Sequence, residues 1–181
     1  MLRITVPATE MYDPKKDEFI STKEQTLQLE HSLVSLSKWE SRWNKPFISK
    51  TDITYEETID YIRCMTITQN VDPRVYDCLT NENINQVNEY IGRSMTATTF
   101  TEDKTKKGGS RDIITAEIIY HWMIALQIPE DYRKWHLNSL LTLIRVCNEK
   151  SQPPKKMSQR DIMSRNAQLN AARKKKHNSR G

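Results

Sequence analysis

The apolar residues of this chain change their period at Ser32, and that change restricts the fold more than any other feature. Before it, Leu2, Ile4 and Val6 alternate with Arg3 and Thr5, the period of a half-buried strand. Pro7 suits the end of such a strand, where no ladder donor is needed. Tyr12-Asp13-Pro14-Lys15-Lys16-Asp17 reads as a turn or loop, and strand-like patterning resumes at Glu18-Phe19-Ile20 and from Thr26 to His31. From Ser32 onward the spacing is three and four: Leu33, Leu36, Trp39, Glu40 and Trp43 share one helical face. The expected fold is therefore α+β and mainly α. A small N-terminal β element precedes a bundle of about five helices, and a basic C-terminal tail follows.

The helix boundaries are written in the local chemistry. Pro46 ends the first helix by Asn44-Lys45, because it lacks a donor and disfavours helix at the residue before it. Thr54 with Glu57 has the spacing of a capping box, and Ile59, Ile62 and Met65 carry the helix on towards Gln69. Asp72-Pro73 opens a short segment, and Thr80 to Asn83 suits the start of a helix that Gly92 can end. Residues 94–110 look non-helical, with a glycine-containing loop from Lys104 to Ser110. Residues 113–126 are apolar nearly all round, which predicts a helix central to the core. Pro129-Glu130-Asp131 suits the start of a last core helix, whose stripe runs from Tyr132 to Cys147 and which is expected to pack antiparallel to its predecessor.

Gln152-Pro153-Pro154-Lys155-Lys156 is the clearest boundary, dividing a domain at 1–152 from a tail at 153–181. Charge divides there too. The tail holds nine basic residues against one acid, Asp161, whereas residues 1–152 hold 19 basic and 22 acidic residues, so the overall +5 describes an appendage on a mildly acidic domain. Lys155, Lys156, Arg160, Arg165, Arg173, Lys174, Lys175 and Lys176 are candidate contacts to a polyanion or partner. Ile162, Met163, Leu169 and Ala172 offer only a thin apolar seam, so the tail is expected to be disordered when free and helical when docked.

Several function classes are disfavoured. Four glycines in 181 residues leave little for a phosphate-cradling loop. Cys64, Cys78 and Cys147 form no C-x-x-C pair and are expected to pack as small hydrophobes in a reducing compartment. No apolar run reaches the length of a membrane span, and the start of the sequence lacks a secretory signal. Among the histidines, His121 lies four residues after Glu117 on one helical face, but one imidazole with one carboxylate is half a site. His136, beside Trp135, reads as a helix-boundary or surface residue, and Glu30-His31 as a strand end. No constellation converges, so no catalytic, metal or cofactor site is expected and a non-enzymatic role is favoured.

Trp39 and Trp43, at i and i+4, stack one turn apart. Such a pair serves either as core or as a partner surface. Met95, Trp122 and Trp135 join them as candidate partner-binding residues.

Four segments together resemble small proteins of tailed bacteriophages, most closely the tail assembly chaperones. They are Leu29 to Phe47, Met95 to Phe100, Ile113 to Met123 and Trp135 to Leu141. The resemblance implies a non-enzymatic factor in the host cytoplasm that binds the long helical tape-measure protein and assists tail-tube subunits to polymerise around it. The basic tail would contact tube subunits or serve as a second binding module. The alternative from the charge alone is a nucleic-acid-binding or structural virion protein acting through that tail.

Overall fold

The computed structural model describes residues 1–13, 17–49, 52–100, 113–151 and 159–177. The protein is α+β and mainly α, with a small β element at its N-terminal end. It divides into two compact units, Met1–Cys147 and Asn148–Gly181.

The N-terminal residues form one long antiparallel ribbon with a break. Strand β1 (Leu2–Val6) pairs with β4 (Gln25–Leu29), Leu2 facing Leu29 and Val6 facing Gln25. Strand β2 (Thr9–Asp13) pairs with β3 (Glu18–Thr22), Thr9 facing Thr22. The second ladder keeps the register of the first, so the ribbon is interrupted only where Pro7 removes a donor. Ile4, Val6, Leu27 and Leu29 point into the core from the first half. In the second half the Tyr12 and Phe19 rings meet in the open, tilted at 55° with centroids 5.2 Å apart. The Tyr12 end of β2 was expected to be a turn, and Thr9–Asp13 carries no apolar alternation to mark it as a strand. Its pairing is inherited from the neighbouring register rather than from burial.

Helix α1 (Leu33–Trp43) starts on a capping box between Ser32 and Ser35 and ends at Asn44 in the left-handed region (φ 52°), whose N–H donates to Glu40 O. Helix α2 (Tyr55–Met65) carries the Thr54–Glu57 capping box, and α3 (Asn81–Gly92) carries one between Thr80 and Asn83. A 3-10 helix at Pro73–Cys78 is capped by Asp72. Helix α2 stops at Met65, short of Gln69. Glu30 N–H donates to Met65 O and Ile67 N–H to Gln28 O, so residues 65–67 lie along the free edge of β4 instead of continuing the helix.

The largest departure concerns the apolar segment after residue 112. Helix α4 (Ala116–Ala125) is not central. Only Ala116, Ile119 and Met123 are buried, while Ile124 and the preceding Ile113 are 76% and 59% exposed. Its principal packing partner is α1. The stripe expected from Tyr132 to Cys147 is also split. A 3-10 helix at Glu130–Lys134 is followed by a bridge between His136 and Ser32, and α5 (Leu137–Ser151) begins only then. The buried residues of both helices join Leu33 and Leu36 of α1 in one apolar cluster. In the second unit, α6 spans Gln159–His177. The proline boundary at 153–154 and the loop from 104 to 110 lie outside the described residues.

Two buried clusters share α1. Trp39 sits with Ile4, Val6, Ile59, Tyr61, Ile62, Met65, Val87 and Tyr90, whereas Leu33 and Leu36 sit with Ala116, Ile119, Met123, Leu137, Leu140 and Ile144. Phe47 packs against both. Between them lies the buried Glu40, whose carboxylate accepts from Phe47 N–H (2.9 Å) and from Ala116 N–H (2.7 Å). Thr115 gives α4 no side-chain cap, so Glu40 supplies it from another helix. Burial raises the Glu40 pKa, and the two amides oppose the rise.

Glu40→Ala leaves two amides without their acceptor and is expected to cost about 2–4 kcal/mol in urea unfolding, with amide exchange in α4 rising first. Trp39→Ala is expected to cost roughly 3–5 kcal/mol, and Trp43→Ala clearly less, because Trp39 is fully enclosed and Trp43 is not. Equal losses for the two tryptophans would contradict this division.

Candidate functional site

The start of α5 is fixed by its backbone. Trp135 N–H donates to Tyr132 O (3.0 Å) and Leu137 N–H to His31 O (2.7 Å), which binds the entry of the helix to the chain just ahead of α1. His136 turns inward while Trp135 remains 48% exposed, its ring edge-on to Tyr132 at 4.2 Å. The segment that follows α3 is tied to the same turn. Asn138 Nδ2 donates to Ile91 O (2.9 Å) and Arg93 O (2.7 Å), and Ser139 Oγ donates to Met95 O (2.8 Å). Met95 adopts the left-handed region (φ 50°) and is 44% exposed. Farther along, the Arg145 guanidinium covers the Phe100 ring at 3.8 Å.

A cleft of about 690 Å³ lies between these parts. Met95 and Trp135 line it with Leu143 and Val146 of α5; Thr96, Thr98, Ser139 and Thr142 add hydroxyls; Glu30, Lys134 and His136 add polar or charged groups. Thus two of the five candidate partner residues, far apart in sequence, meet in one place.

Beneath the cleft runs a network of polar aromatic groups. Tyr90 OH donates to Glu30 Oε1 (2.7 Å). His136 Nε2 lies 3.2 Å from Tyr90 O and its Nδ1 3.3 Å from Asn138 N. A carbonyl only accepts and a backbone amide only donates, so His136 is neutral with its proton on Nε2. Its ring is edge-on to Tyr90 at 4.9 Å and to His31 at 5.2 Å. His31 Nδ1 and Tyr61 OH share a 2.6 Å hydrogen bond. Burial lowers the His31 pKa to about 3, with the neighbouring His136 adding to the effect; burial likewise lowers His136. Burial raises the Tyr61 and Tyr90 hydroxyls. At neutral pH both imidazoles are uncharged and both phenols keep their protons, so the network holds the cleft in shape. The reading of His136 as a boundary residue holds, but it is a buried one and not a surface one.

The other candidates fall elsewhere. Trp39 is wholly enclosed, its Nε1 donating to Glu57 O (2.9 Å), so it belongs to the core and not to a partner surface. Trp43 lies on the edge of a separate cleft of about 560 Å³ with Tyr55, Arg63 and Tyr76, and its Nε1 donates to Asp60 Oδ2 (2.9 Å). Arg42 pairs with the same carboxylate. Trp122 is half-buried on α4 among the residues around Leu33. Glu117 and His121 are both exposed on α4, and among the described residues no group of three or more potential metal ligands comes together. On α6, Arg160, Arg165, Arg173, Lys174, Lys175 and Lys176 are all exposed; Lys155 and Lys156 lie outside the described residues. No described helix is long and apolar enough to cross a membrane. No family model, curated protein or solved structure matches this chain.

Glu30 and His136 were not singled out as cleft residues by sequence, nor Tyr90 as their support. They are brought together by chain pairings 46 to 60 residues apart, which leave no local periodic signal.

Acid should act through this network. A His31 value below its ordinary 6.5 means that the folded state resists the charged form. The stability is complete above about pH 6.5 and drains away as pH falls towards 3. His31 alone is expected to remove about 2 kcal/mol between pH 7 and pH 5. His31→Asn, weaker at pH 7, should show a flatter decline over that interval in urea titrations; an equally steep decline would place the acid sensitivity elsewhere.

Proposed function

We propose that the protein is a non-enzymatic assembly factor of the tail-assembly-chaperone kind. In the host cytoplasm it holds the helical tape-measure protein and assists tail-tube subunits to polymerise. The observation that carries this reading is the cleft shared by Met95 and Trp135. A tape-measure helix presents stripes of apolar side chains that aggregate unless covered. Covering them takes adaptable apolar surface with a polar rim. A thioether, an indole, Leu143 and Val146 supply the first, and the hydroxyls of Thr96, Thr98, Ser139 and Thr142 supply the second. The rigid backing of the cleft favours binding, because the ordering of Trp135 and Met95 is largely complete before a partner arrives.

Co-expression of the full chain with the tape-measure protein of the same phage tests the reading. Trp135→Ala is expected to leave the protein folded, at a cost of about 1–2 kcal/mol in unfolding free energy since about half of the ring is already in solvent, and to weaken the complex at least fivefold. Unchanged recovery of soluble tape-measure protein with the variant would remove the cleft from the function.

A further inference from the structure

Helix α6 carries charge in a pattern that the cleft does not use. Every side chain described along it is exposed, and its apolar residues are scattered round the helix instead of gathered on one side. It therefore lacks the apolar stripe by which a helix seats on a protein surface. Its last turns hold four consecutive cations, Arg173, Lys174, Lys175 and Lys176. Successive residues are turned by about 100°, so these four point to nearly every side of the helix. A flat protein face meets a helix on one side and would leave half of them unpaired. A groove with phosphates along both walls encloses the helix from three sides and reaches most of them. The major groove of duplex DNA is roughly 12 Å wide and admits a helix, whereas that of duplex RNA is too narrow for side chains to enter. Ala167, Ala171 and Ala172, in the turns before them, leave room for close approach.

We propose that α6 is a second binding module that lies in the major groove of duplex DNA and holds its phosphates without reading base sequence. This stands apart from the tape-measure reading, which rests on the cleft in the other unit. Affinity then comes from counterions released by the basic side chains, with Gln168 and Asn170 available as neutral donors to phosphate oxygens.

Fluorescence anisotropy of the full chain with a labelled mixed-sequence 20-bp duplex tests it, across about 50 to 200 mM salt. Four phosphate contacts predict a fall in affinity of about a hundredfold over that range. Lys174→Gln, Lys175→Gln and Lys176→Gln combined should lower the slope of log K against log salt by about 2.7, with helicity confirmed by circular dichroism. A second duplex of unrelated sequence should bind equally, and tape-measure recovery should be unchanged in the triple variant. The proposal fails if the parent does not bind the duplex at the lowest salt. It fails equally if the triple variant binds as tightly as the parent, if polyglutamate displaces the duplex at equal charge, or if duplex RNA binds as well as DNA.

Discussion

The chain between β4 and α1 is the joint on which the first unit is assembled. Within three residues it reaches most of the other elements. Glu30 N–H donates to the last residue of α2, and the Glu30 carboxylate accepts from Tyr90 at the end of α3. His31 O accepts from the first residue of α5, and its ring bonds Tyr61 in the middle of α2. Ser32 caps α1 and bridges to His136. Each group is buried or nearly so, and each removes a polar atom from a place where leaving it unpaired would cost about 1–3 kcal/mol. Apolar burial holds the helices together, but these bonds determine which ends meet. The cleft is a consequence: it forms where the entry of α5 and the exit of α3 are drawn to the same three residues.

Helix α1 carries a second role, as a wall between two apolar clusters. Trp39 belongs to one side and Leu33 and Leu36 to the other, with Glu40 between them. A carboxylate at that place is costly to bury. It is retained by the amides of Phe47 and Ala116, which would otherwise lack an acceptor at the turn after α1 and at the start of α4. An acid that looks like an ordinary member of an amphipathic stripe thus positions a helix 76 residues away. This also accounts for the peripheral position of α4: it is held at its first residue and along one narrow face, leaving Ile124 outside.

Features determined within a few residues were legible in the sequence. The capping boxes at Thr54 and Thr80, the end of α1 before Pro46, the limit of α3 at Gly92 and the inward alternation of Leu2, Ile4 and Val6 all depend on near neighbours. What was misread depended on distance. Gln28 recruits Ile67 and stops α2 early, while Ser32 recruits His136 and breaks the stripe before α5. Hydrophobic content overstated α4, because a helix that is apolar all round need not be surrounded, and nothing in its sequence names its neighbours. Of the candidate site, Met95 and Trp135 stood among the candidate partner residues, yet their meeting depends on Asn138 and Ser139 holding the 91–95 segment by its carbonyls.

The same geometry bears on how a cleft of this kind would release as well as hold a partner. Trp135 and Met95 are surface side chains set on a backbone that is fixed from behind by the Asn138 amide and the Ser139 hydroxyl, with the neutral His31 and His136, the protonated Tyr61 and Tyr90 and the Glu30 carboxylate beneath. Salt scarcely screens hydrogen bonds between uncharged, buried groups, but it does screen the ion pair between the Met1 amino group and Glu30 Oε2 (2.9 Å) at the wall of the cleft. Contacts made by the cations of α6 are screened strongly, because those side chains stand in solvent. The two units therefore respond to different solution variables. Acid loosens the first by charging His31 and His136; salt acts most on the second.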